Sequence, residues 1–380
     1  MHKTNPIKII SVFGTRPEII KMATVVKRLE EHAEKIKSIV CVTAQHREMI
    51  DPLLRLFDIE PDYDLNIMHE KQSLEYITIT ILNELGKVIK EEKPNYLLVQ
   101  GDTTTSMAAG LTAFYQNIKI AHIEAGLRTW NKLHPYPEEV NRKIIDSVTD
   151  LYFAHSEKAK QNLIAEGVDG EKVEITGNTV VDALLYIAGR NSNLKGTVLE
   201  NILSDKKKII LLTAHRRESF GESLFNICNA IKEIALRYPS DICIVFPVHL
   251  NPIVQKSVYS ILSDVGNVLL TEPLAYPLFV QLMKKSYLIL TDSGGLQEEA
   301  PSFGTPVLIL REVTERPEVV EAGVAKIVGT NSERIIENTI KLLEDRTEYK
   351  RMSRAINPYG DGKASERIVG RLLRELRINE

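Results

Sequence analysis

The sequence predicts an α/β protein with two Rossmann-like domains, and three observations support this prediction. The chain has 380 residues, which exceeds the usual size of a single domain. Short apolar segments bounded by turn residues alternate with longer segments of helical periodicity, which is typical of βαβ units around a buried parallel sheet. The alternation begins again after the three lysines at 206–208, so a second sheet is expected there.

The first half predicts a sheet of at least five strands. We expect strands at residues 7–13, 38–43, 96–100, 118–123 and 151–154. The segments between them have helical periodicity, and the clearest predicted helices cover residues 17–32, 73–92 and 104–115. The first domain is therefore expected to cover residues 1–188.

The second half repeats this organisation. Strands are expected at residues 209–213, 242–246, 268–271, 287–291 and 306–310, and the second domain at residues 189–363. The polar segment 189–196, rich in Asn, Ser and Gly, is predicted to be the linker. The segment 364–380 has helical periodicity, and this helix could pack back on the first domain.

Composition argues against several classes of partner. The net charge of −3 and the pI near 6.4 give no positive field for nucleic acid or anionic membranes. Cys41, Cys228 and Cys243 are too widely spaced for a disulfide framework or for paired metal ligands. No signal peptide precedes the first predicted strand, and no apolar segment approaches a membrane span. We therefore expect a cytoplasmic protein without a metal.

The residues that directly follow each strand are the candidates for chemistry, because ligands of open α/β sheets bind beyond the carboxyl ends of the strands. Two such domains facing one another would enclose a cleft. Neither a glycine-rich dinucleotide loop nor a Walker loop follows a strand, so no nicotinamide or ATP cofactor is expected. Arg16 and Lys21 instead lie at a helix start after the first strand, where they could bind a pyrophosphate; two solvated cations are an equally weighted alternative.

Three carboxylates occur at successive strand or helix ends. Asp102 follows one predicted strand, Glu124 follows the next, and Glu138 opens a helix. Each has an ordinary alternative: Asp102 could cap the helix that starts near residue 104, and Glu138 is favoured by the helix dipole. A charge such as Glu124 after an apolar strand is costly to bury unless it is paired or used. Together the three suggest proton-transfer chemistry.

The second half places cations and a glycine-rich turn after its strands. His215, followed by Arg216 and Arg217, favours a phosphate contact. Ser293, Gly294 and Gly295 allow close backbone approach at a helix start, which suits a diphosphate, and Glu298 or Glu299 could accept hydrogen bonds from ribose hydroxyls. Ser293 is a poor hydrolase nucleophile, because Thr291 stands where the nucleophile elbow needs glycine.

These residues resemble a known family, the non-hydrolysing UDP-N-acetylglucosamine 2-epimerases. The matching segments run over nearly the whole chain in the family's order: GTRPE (14–18), TAQHREM (43–49), QGDTTT (100–105), HIEAGLR (122–128), PEEVNR (137–142), GNTVVDAL (177–184), TAHRRE (213–218), TDSGGLQEEAPSFGTPVLILR (291–311) and TERPE (314–318). The resemblance implies the two-domain GT-B fold, a cofactor-free homodimer, and a product that supplies N-acetylmannosamine units for glycan synthesis.

The resemblance also implies a mechanism and a set of roles. UDP is eliminated from C1 together with the C2 proton, giving a 2-acetamidoglucal, and UDP adds again after protonation from the opposite face. Asp102, Glu124 and Glu138 would be the acid/base set, and His215 would stabilise or assist the departing phosphate. The other implied contacts are Arg16, Lys21, Ser293 and Gly294 to the diphosphate, Glu299 to the ribose, Phe279 to the uracil side and Arg316 to a further part of the substrate.

Bacterial members of this family bind a second UDP-N-acetylglucosamine as an activator, and Gln45, His46, Arg217 and His249 match residues used there. Lys71 stands where the regulated members carry arginine. The two are not equivalent at a bidentate site, so activation does not follow from the match. Three alternatives remain open: a GT-B glycosyltransferase, a hydrolysing epimerase and a non-catalytic nucleotide-sugar sensor.

Overall fold

The computed structural model describes residues 6–45, 47–69, 72–190, 194–200, 202, 206–216 and 221–378. Contacts divide the chain into two compact units: unit 1 comprises Met1–Ala183 and Tyr359–Glu380, and unit 2 comprises Leu184–Pro358. Each unit has its own parallel sheet. Residues 191–193 of the segment predicted as a linker lie outside the described residues.

The sheet of unit 1 has seven strands in the order β3-β2-β1-β4-β5-β6-β7. All of its described pairings are parallel. The central strand β4 is buried at all five positions, as a parallel strand covered on both faces should be. The strands are β1 (Ile7–Phe13), β2 (Ile36–Val42), β3 (Tyr63–Asp64), β4 (Tyr96–Gln100), β5 (Lys119–Ala125), β6 (Leu151–Ala154) and β7 (Val173–Ile175).

The helices of unit 1 connect these parallel strands. They are α1 (Arg16–Glu30), α2 (Arg47–Leu56), α3 (Leu74–Glu92), α4 (Thr104–Tyr115), α5 (Glu138–Val148), α6 (Glu157–Ala165), a 3₁₀ turn at Gly170–Lys172, and α7 (Thr179–Gly189), which continues into unit 2. Helix α4 is rich in small residues, and a Cβ added to its Gly110 would lie 3.0 Å from Ile145 Cδ1 on α5. This close approach places α5, and with it Glu138, against α4.

Unit 2 has a six-stranded sheet in the order β10-β9-β8-β11-β12-β13, with all described pairings parallel. Its strands are β8 (Lys208–Thr213), β9 (Ile242–Pro247), β10 (Val268–Thr271), β11 (Leu288–Thr291), β12 (Val307–Ile309) and β13 (Ala325–Ile327). Its further helices are α8 (Glu222–Arg237), α9 (Pro252–Leu262), α10 (Tyr276–Lys285), α11 (Gly294–Glu299), a 3₁₀ turn at Ala300–Phe303, α12 (Pro317–Glu321), α13 (Ser332–Glu344) and α14 (Arg346–Ser353).

The chain then returns to unit 1 with α15 (Ala364–Ile378), which packs on α1. The buried carboxylate of Asp182 accepts hydrogen bonds from the backbone N–H groups of Ala364 (3.1 Å) and Ser365 (2.8 Å). A carboxylate at a helix start satisfies donors that the helix itself leaves unpaired. Asp182 therefore fixes the start of the returning helix.

The predicted fold class is confirmed, because both halves of the chain form a parallel sheet with interspersed helices. None of the helices in the described part of the chain has the length and apolar character needed to cross a membrane.

Candidate active site

A cavity of about 480 Å³ lies at the carboxyl edge of the unit 1 sheet. Its lining comes from the residues after the neighbouring strands β1 and β4, from the end of β5 and from the start of α5. Parallel strands end at the same edge of a sheet, so their following residues converge there. The cavity brings together six residues singled out from the sequence: Arg16, Lys21, Gln45, Asp102, Glu124 and Glu138.

Asp102 is held by an arginine of α5. Its Oδ2 accepts from Arg142 Nε at 2.8 Å and lies 2.7 Å from Arg142 Nη2, and its backbone carbonyl accepts from Asn141 Nδ2 at 2.9 Å. The alternative role of Asp102 as a helix cap is wrong, because Thr103 caps α4 through a 3.0 Å bond from the N–H of Ser106 to its hydroxyl. The Asp102 carboxylate is therefore available at the cavity.

Glu124 adopts a backbone conformation that is uncommon for a residue with a side chain. Its φ is 66°, and the pairing of β5 with β6 shifts register between Ile123 and Ala125. Irregularities of this kind redirect side chains and often occur beside active sites. Its Oε2 accepts hydrogen bonds from Lys21 Nζ at 2.5 Å and from Gln100 Nε2 at 2.9 Å.

Glu138 differs from the other two carboxylates in its surroundings. It lies in the first turn of α5, where the helix dipole favours its negative charge. Its Oε2 is buried and has no hydrogen-bond partner among the described residues. A buried polar atom without a partner is uncommon in a native protein and calls for a functional or ligand-based explanation.

Glu18 was not singled out from the sequence, although it supports the cavity. Its buried carboxylate accepts from the N–H groups of Gly14 (2.9 Å) and Thr15 (2.7 Å) and from the hydroxyls of Thr103 (2.5 Å) and Ser106 (2.9 Å). Burial raises its pKa, and these hydrogen bonds act in the opposite direction. Glu18 thus joins the turn after β1 to the turn after β4. The Thr-x-x-Glu spacing at residues 15–18 is a capping-box pattern that could have indicated it.

In unit 2, His215 follows β8 and Asp292 follows the adjacent strand β11. Asp292 Oδ2 accepts from the backbone N–H groups of His215 and Arg216, each at 2.8 Å, and its Oδ1 lies 3.2 Å from His215 Nδ1. The fully buried Asp292 therefore fixes the backbone at the exposed His215 and places a carboxylate oxygen beside its ring. Asp292 lies within the matching segment 291–311, but no role was predicted for it.

Two guanidinium groups converge on the glycine-rich turn after β11. A Cβ added to Gly294 would lie 3.6 Å from Arg216 Nη2 and 3.9 Å from Arg316 Nη2. Ser293 is the N-cap of α11 and Gly295 is exposed. Arg316 also donates to the buried Glu298. The turn is therefore next to positive charge that suits an anion.

The remaining predicted contacts of unit 2 lie on α10 and α11. Glu299 is buried and accepts from Tyr276 Oη at 3.4 Å, while Phe279 is half-buried on α10. His249 is exposed and stacks on His215, with ring centroids 5.9 Å apart. Gln45 belongs to unit 1, where its Oε1 accepts from Thr105 Oγ1 at 2.9 Å. His46, Lys71 and Arg217 lie outside the described residues.

Among the residues that the structure describes, no three His, Cys, Asp or Glu side chains are arranged to hold a metal ion. Cys41 and Cys228 are buried free thiols, and burial raises the pKa of each to about 12. A thiol with such a pKa is a poor nucleophile at neutral pH. Both cysteines are therefore packing residues.

Two parallel sheets, each with charged side chains at its strand ends, define a protein of the two-domain, Rossmann-like α/β class. Residues 27–373 match the family model described as UDP-N-acetylglucosamine 2-epimerase. The chain belongs to this family.

Individual relatives agree with the family match. The chain is 53% identical over 375 residues to UDP-N-acetylglucosamine 2-epimerase of Campylobacter jejuni, covering 97% of each chain. A putative UDP-N-acetylglucosamine 2-epimerase from Listeria monocytogenes superposes with a TM-score of 0.93 at 44% identity, over 99% of this chain and 98% of that chain. The Neisseria meningitidis enzyme bound to UDP-GlcNAc gives a TM-score of 0.85 at 50% identity, over 97% of this chain and 100% of that chain.

Proposed function

We propose that this protein inverts carbon 2 of UDP-N-acetylglucosamine and so interconverts it with UDP-N-acetylmannosamine. The observation that carries the proposal is the presence of Asp102, Glu124 and Glu138 around one cavity in a chain of this family. Inversion at carbon 2 needs a proton removed from one face of the sugar and returned to the other. Three carboxylates around one cavity supply enough acid/base groups for both steps.

The proposed chemistry proceeds through elimination, because the C2 proton is not adjacent to a carbonyl and direct abstraction is very unfavourable. A carboxylate takes the C2 proton, the C1–O bond breaks, and UDP leaves with the bonding electrons. The intermediates at this stage are a 2-acetamidoglucal and UDP. Protonation of C2 from the opposite face and return of the UDP oxygen to C1 complete the inversion, with no net gain or loss of atoms.

The three carboxylates form the acid/base set, and their surroundings support different duties. Asp102 and Glu124 each have a cationic partner, Arg142 and Lys21. Glu138 has a buried oxygen without a partner in the described part of the chain. Such an oxygen is free to exchange a proton with a ligand.

The nucleotide contacts are assigned by match to the family. Arg16 and Lys21 of unit 1 are proposed to contact the diphosphate. In unit 2, Ser293, Gly294, Gly295 and Arg316 are proposed as further contacts, and His215 stabilises the departing phosphate. Glu299 is assigned to the ribose and Phe279 to the uracil side. The convergence of Arg216 and Arg316 on Gly294 supports a diphosphate at this turn.

Assembly, regulation and location belong to the same proposal. A homodimer is proposed from the family resemblance, and exposed apolar side chains on α3 and α4, including Ile79, Phe114 and Tyr115, support it.

The activator site would use Gln45, His46, Arg217 and His249, with Lys71 replacing the arginine of regulated members. A cytoplasmic location fits the buried, unpaired Cys41 and Cys228, because reduced thiols persist there. Enclosure of the intermediate between the two domains stays a prediction.

Proton NMR of UDP-N-acetylglucosamine incubated with the protein in heavy water tests the function. The expected result is a new set of UDP-N-acetylmannosamine signals and loss of the C2 proton signal from both sugars. A glycosyltransferase would leave the stereochemistry of the sugar unchanged, and a hydrolysing epimerase would release free N-acetylmannosamine and UDP. A nucleotide-sugar sensor would bind the ligand and incorporate no deuterium, and any of these three outcomes would contradict the proposal.

A further inference from the structure

Unit 1 contains a buried ionic cluster that does not line the cavity. It consists of His122 on β5, Asp146 on α5, Arg128 after β5 and Glu166 after α6, and is here called the His122 cluster. The side chains of His122 and Arg128 are fully buried, and that of Asp146 is 3% exposed. Glu166 is exposed, so the buried charges are those of Asp146 and Arg128, and burying such charges is costly unless they are paired and hydrogen-bonded.

The hydrogen bonds of His122 hold its ring from both sides. Nδ1 lies 2.6 Å from Asp146 Oδ1, and Nε2 lies 2.8 Å from the backbone carbonyl oxygen of Gly101. A carbonyl oxygen only accepts, so Nε2 must donate to Gly101. Burial raises the pKa of Asp146, but His122 and Arg128 outweigh it and hold that pKa below its ordinary value. The ring is therefore fixed between the Asp146 carboxylate and the Gly101 carbonyl.

Arg128 holds the other oxygen of the Asp146 carboxylate. Arg128 Nη2 lies 2.7 Å from Asp146 Oδ2 and 2.5 Å from Glu166 Oε2. Burial lowers the pKa of Arg128, but the two carboxylates outweigh it and raise that pKa above its ordinary value. Tyr152, from β6, donates to the backbone carbonyl of Asp146 at 2.7 Å. Asp146 is therefore held by His122, by Arg128 and through its own backbone.

The His122 cluster touches each segment that carries a candidate acid/base group. The Gly101 carbonyl that accepts from His122 belongs to the residue before Asp102. Asp146 Oδ2 accepts from the N–H of Gly126 at 3.3 Å, in the turn after Glu124. Asp146 is itself part of α5, the helix that begins with Glu138. Through His122, the buried Asp146 carboxylate therefore links the turn after β4 to the turn after β5, and its own backbone belongs to α5.

We propose that His122 and Asp146 are positioning residues that set the relative placement of Asp102, Glu124 and Glu138. The His122 ring fixes the Gly101–Asp102 turn from inside the protein, and Asp146 fixes the turn after Glu124. This inference rests on the proposed epimerase function. Misplacement of reacting groups by about 1 Å costs on the order of 100-fold in rate, so loss of the cluster should appear in kcat and not in substrate affinity.

The first test compares two buried aspartates of unit 1. Asp146→Asn keeps the shape of the side chain and removes the negative charge that faces His122 Nδ1 and Arg128 Nη2. We expect kcat for epimerisation to fall by about 100-fold while KM changes by less than about 3-fold. Asp182→Asn is the matched control, because Asp182 also accepts backbone N–H groups but does so at the start of α15; it should lower the melting temperature and leave kcat near the wild-type value.

Two variants of His122 separate positioning from packing. His122→Leu removes both hydrogen bonds, whereas His122→Gln keeps a donor that can reach the Gly101 carbonyl. We expect His122→Gln to recover part of the kcat that His122→Leu loses, with similar KM in both. Equal, near-normal kcat in both variants and in Asp146→Asn would overturn the proposal, as would losses confined to KM.

A spectroscopic measurement tests the hydrogen bond from His122 to Gly101 even where a variant fails to fold. In wild-type protein with ¹⁵N-labelled histidine, Nε2 of His122 should resonate as a protonated nitrogen whose hydrogen exchanges slowly with solvent. An unprotonated Nε2 would overturn the inference. Deuterium incorporation at C2 by the wild-type protein is measured in parallel: its absence contradicts the proposed function, whereas normal incorporation with unchanged variants contradicts only the positioning role.

Discussion

Lys21 Nζ lies 2.5 Å from Glu124 Oε2, so a cation predicted from the sequence to bind phosphate is paired with a candidate acid/base carboxylate. The two residues come from different elements, α1 and the end of β5. The Lys21 side chain is 14% exposed and that of Glu124 is 9% exposed. A pair this sheltered is screened less by water than a surface pair. Lys21 therefore holds the Glu124 side chain as well as facing any anion bound in the cavity.

Replacing Lys21 with methionine should reduce turnover strongly. Among the residues that the structure describes, Lys21→Met leaves Glu124 with the Gln100 amide as its hydrogen-bond donor, and it removes positive charge from the cavity. We expect kcat/KM for epimerisation to fall by a factor of about 100 to 1000, equivalent to about 3–4 kcal/mol of lost transition-state stabilisation. The control is Lys27→Met on the same helix, where Lys27 pairs with Glu30 at the surface. Similar activities for the two variants would show that the Lys21 pair has no catalytic effect.

Glu138 and its neighbour Glu139 should respond to the same substitution in opposite ways. Glu138 Oε2 lacks a partner in the described chain, so Glu138→Gln should leave the free energy of unfolding unchanged or raise it by up to about 1 kcal/mol. Turnover should fall by orders of magnitude, because the glutamine cannot exchange a proton. Urea unfolding and C2 deuterium exchange measure the two effects.

Glu139→Gln is the matched control for this experiment. Burial raises the pKa of Glu139, but backbone donors at Thr129 and Trp130 outweigh it and lower that pKa. These N–H groups donate at 3.0 Å and 2.9 Å. Removing the charge should cost about 1–3 kcal/mol of stability at neutral pH. A destabilised Glu138→Gln with normal turnover would reverse the assignment of the two residues.

In unit 2, Asp292→Asn should separate two effects of Asp292: its hydrogen bonds to the backbone, and its negative charge beside the His215 ring. The asparagine oxygen can still accept from the N–H groups of His215 and Arg216, which both donate to one Asp292 oxygen. The side chain no longer has a negative charge facing His215 Nδ1. We expect kcat to fall by about 100-fold or more, while the Kd of UDP, measured by calorimetry, stays within a few-fold.

Asp292→Ala provides the comparison for this prediction. It removes the acceptor for both backbone N–H groups, so UDP affinity and thermal stability should fall as well. If Asp292→Asn and Asp292→Ala gave the same loss of UDP affinity, the charge on Asp292 would serve binding and not the reaction.

Apolar strands were predicted well because a buried strand requires a run of consecutive apolar residues, which the sequence shows directly. The predicted ranges 7–13, 96–100, 151–154 and 268–271 coincide with β1, β4, β6 and β10, and the predicted helix 104–115 coincides with α4. In each case a run of apolar or small residues is bounded by turn residues or a helix cap. Hydrophobic burial therefore determined these elements locally.

The elements absent from the prediction lack such a pattern. β3 has two residues, and β7 and β13 have three each, which is too few to show a period. α2 contains Pro52, which argues against a helix when sequence alone is considered. Tertiary contacts with neighbouring strands and helices stabilise these elements.

The candidate site was predictable as a set of positions but not as a set of partners. Asp102, Glu124 and Glu138 were recognised from their places at strand and helix ends. Their partners are distant in sequence, as with Arg142, which lies 40 residues from Asp102. The positive φ of Glu124 depends on the register shift between β5 and β6, which no local pattern records.

The last prediction concerns stability and pH, and it involves Glu92 at the end of α3. Hydrogen bonding from Lys8 lowers the pKa of Glu92 from 4.5 to about 2, with further contributions from Tyr63 and Lys37. A carboxyl with a lowered folded-state pKa stabilises the fold above its unfolded pKa, and this contribution is lost as pH falls from 4.5 toward about 2. Glu92→Gln should therefore cost about 1–2 kcal/mol at neutral pH and progressively less in acid. Urea unfolding at pH 7 and about pH 3 measures the difference, with Glu91→Gln, at the exposed neighbouring position, as a control that should change little at either pH. A Glu92→Gln deficit that stays constant or grows in acid would show that the lost stability does not come from the charge of Glu92.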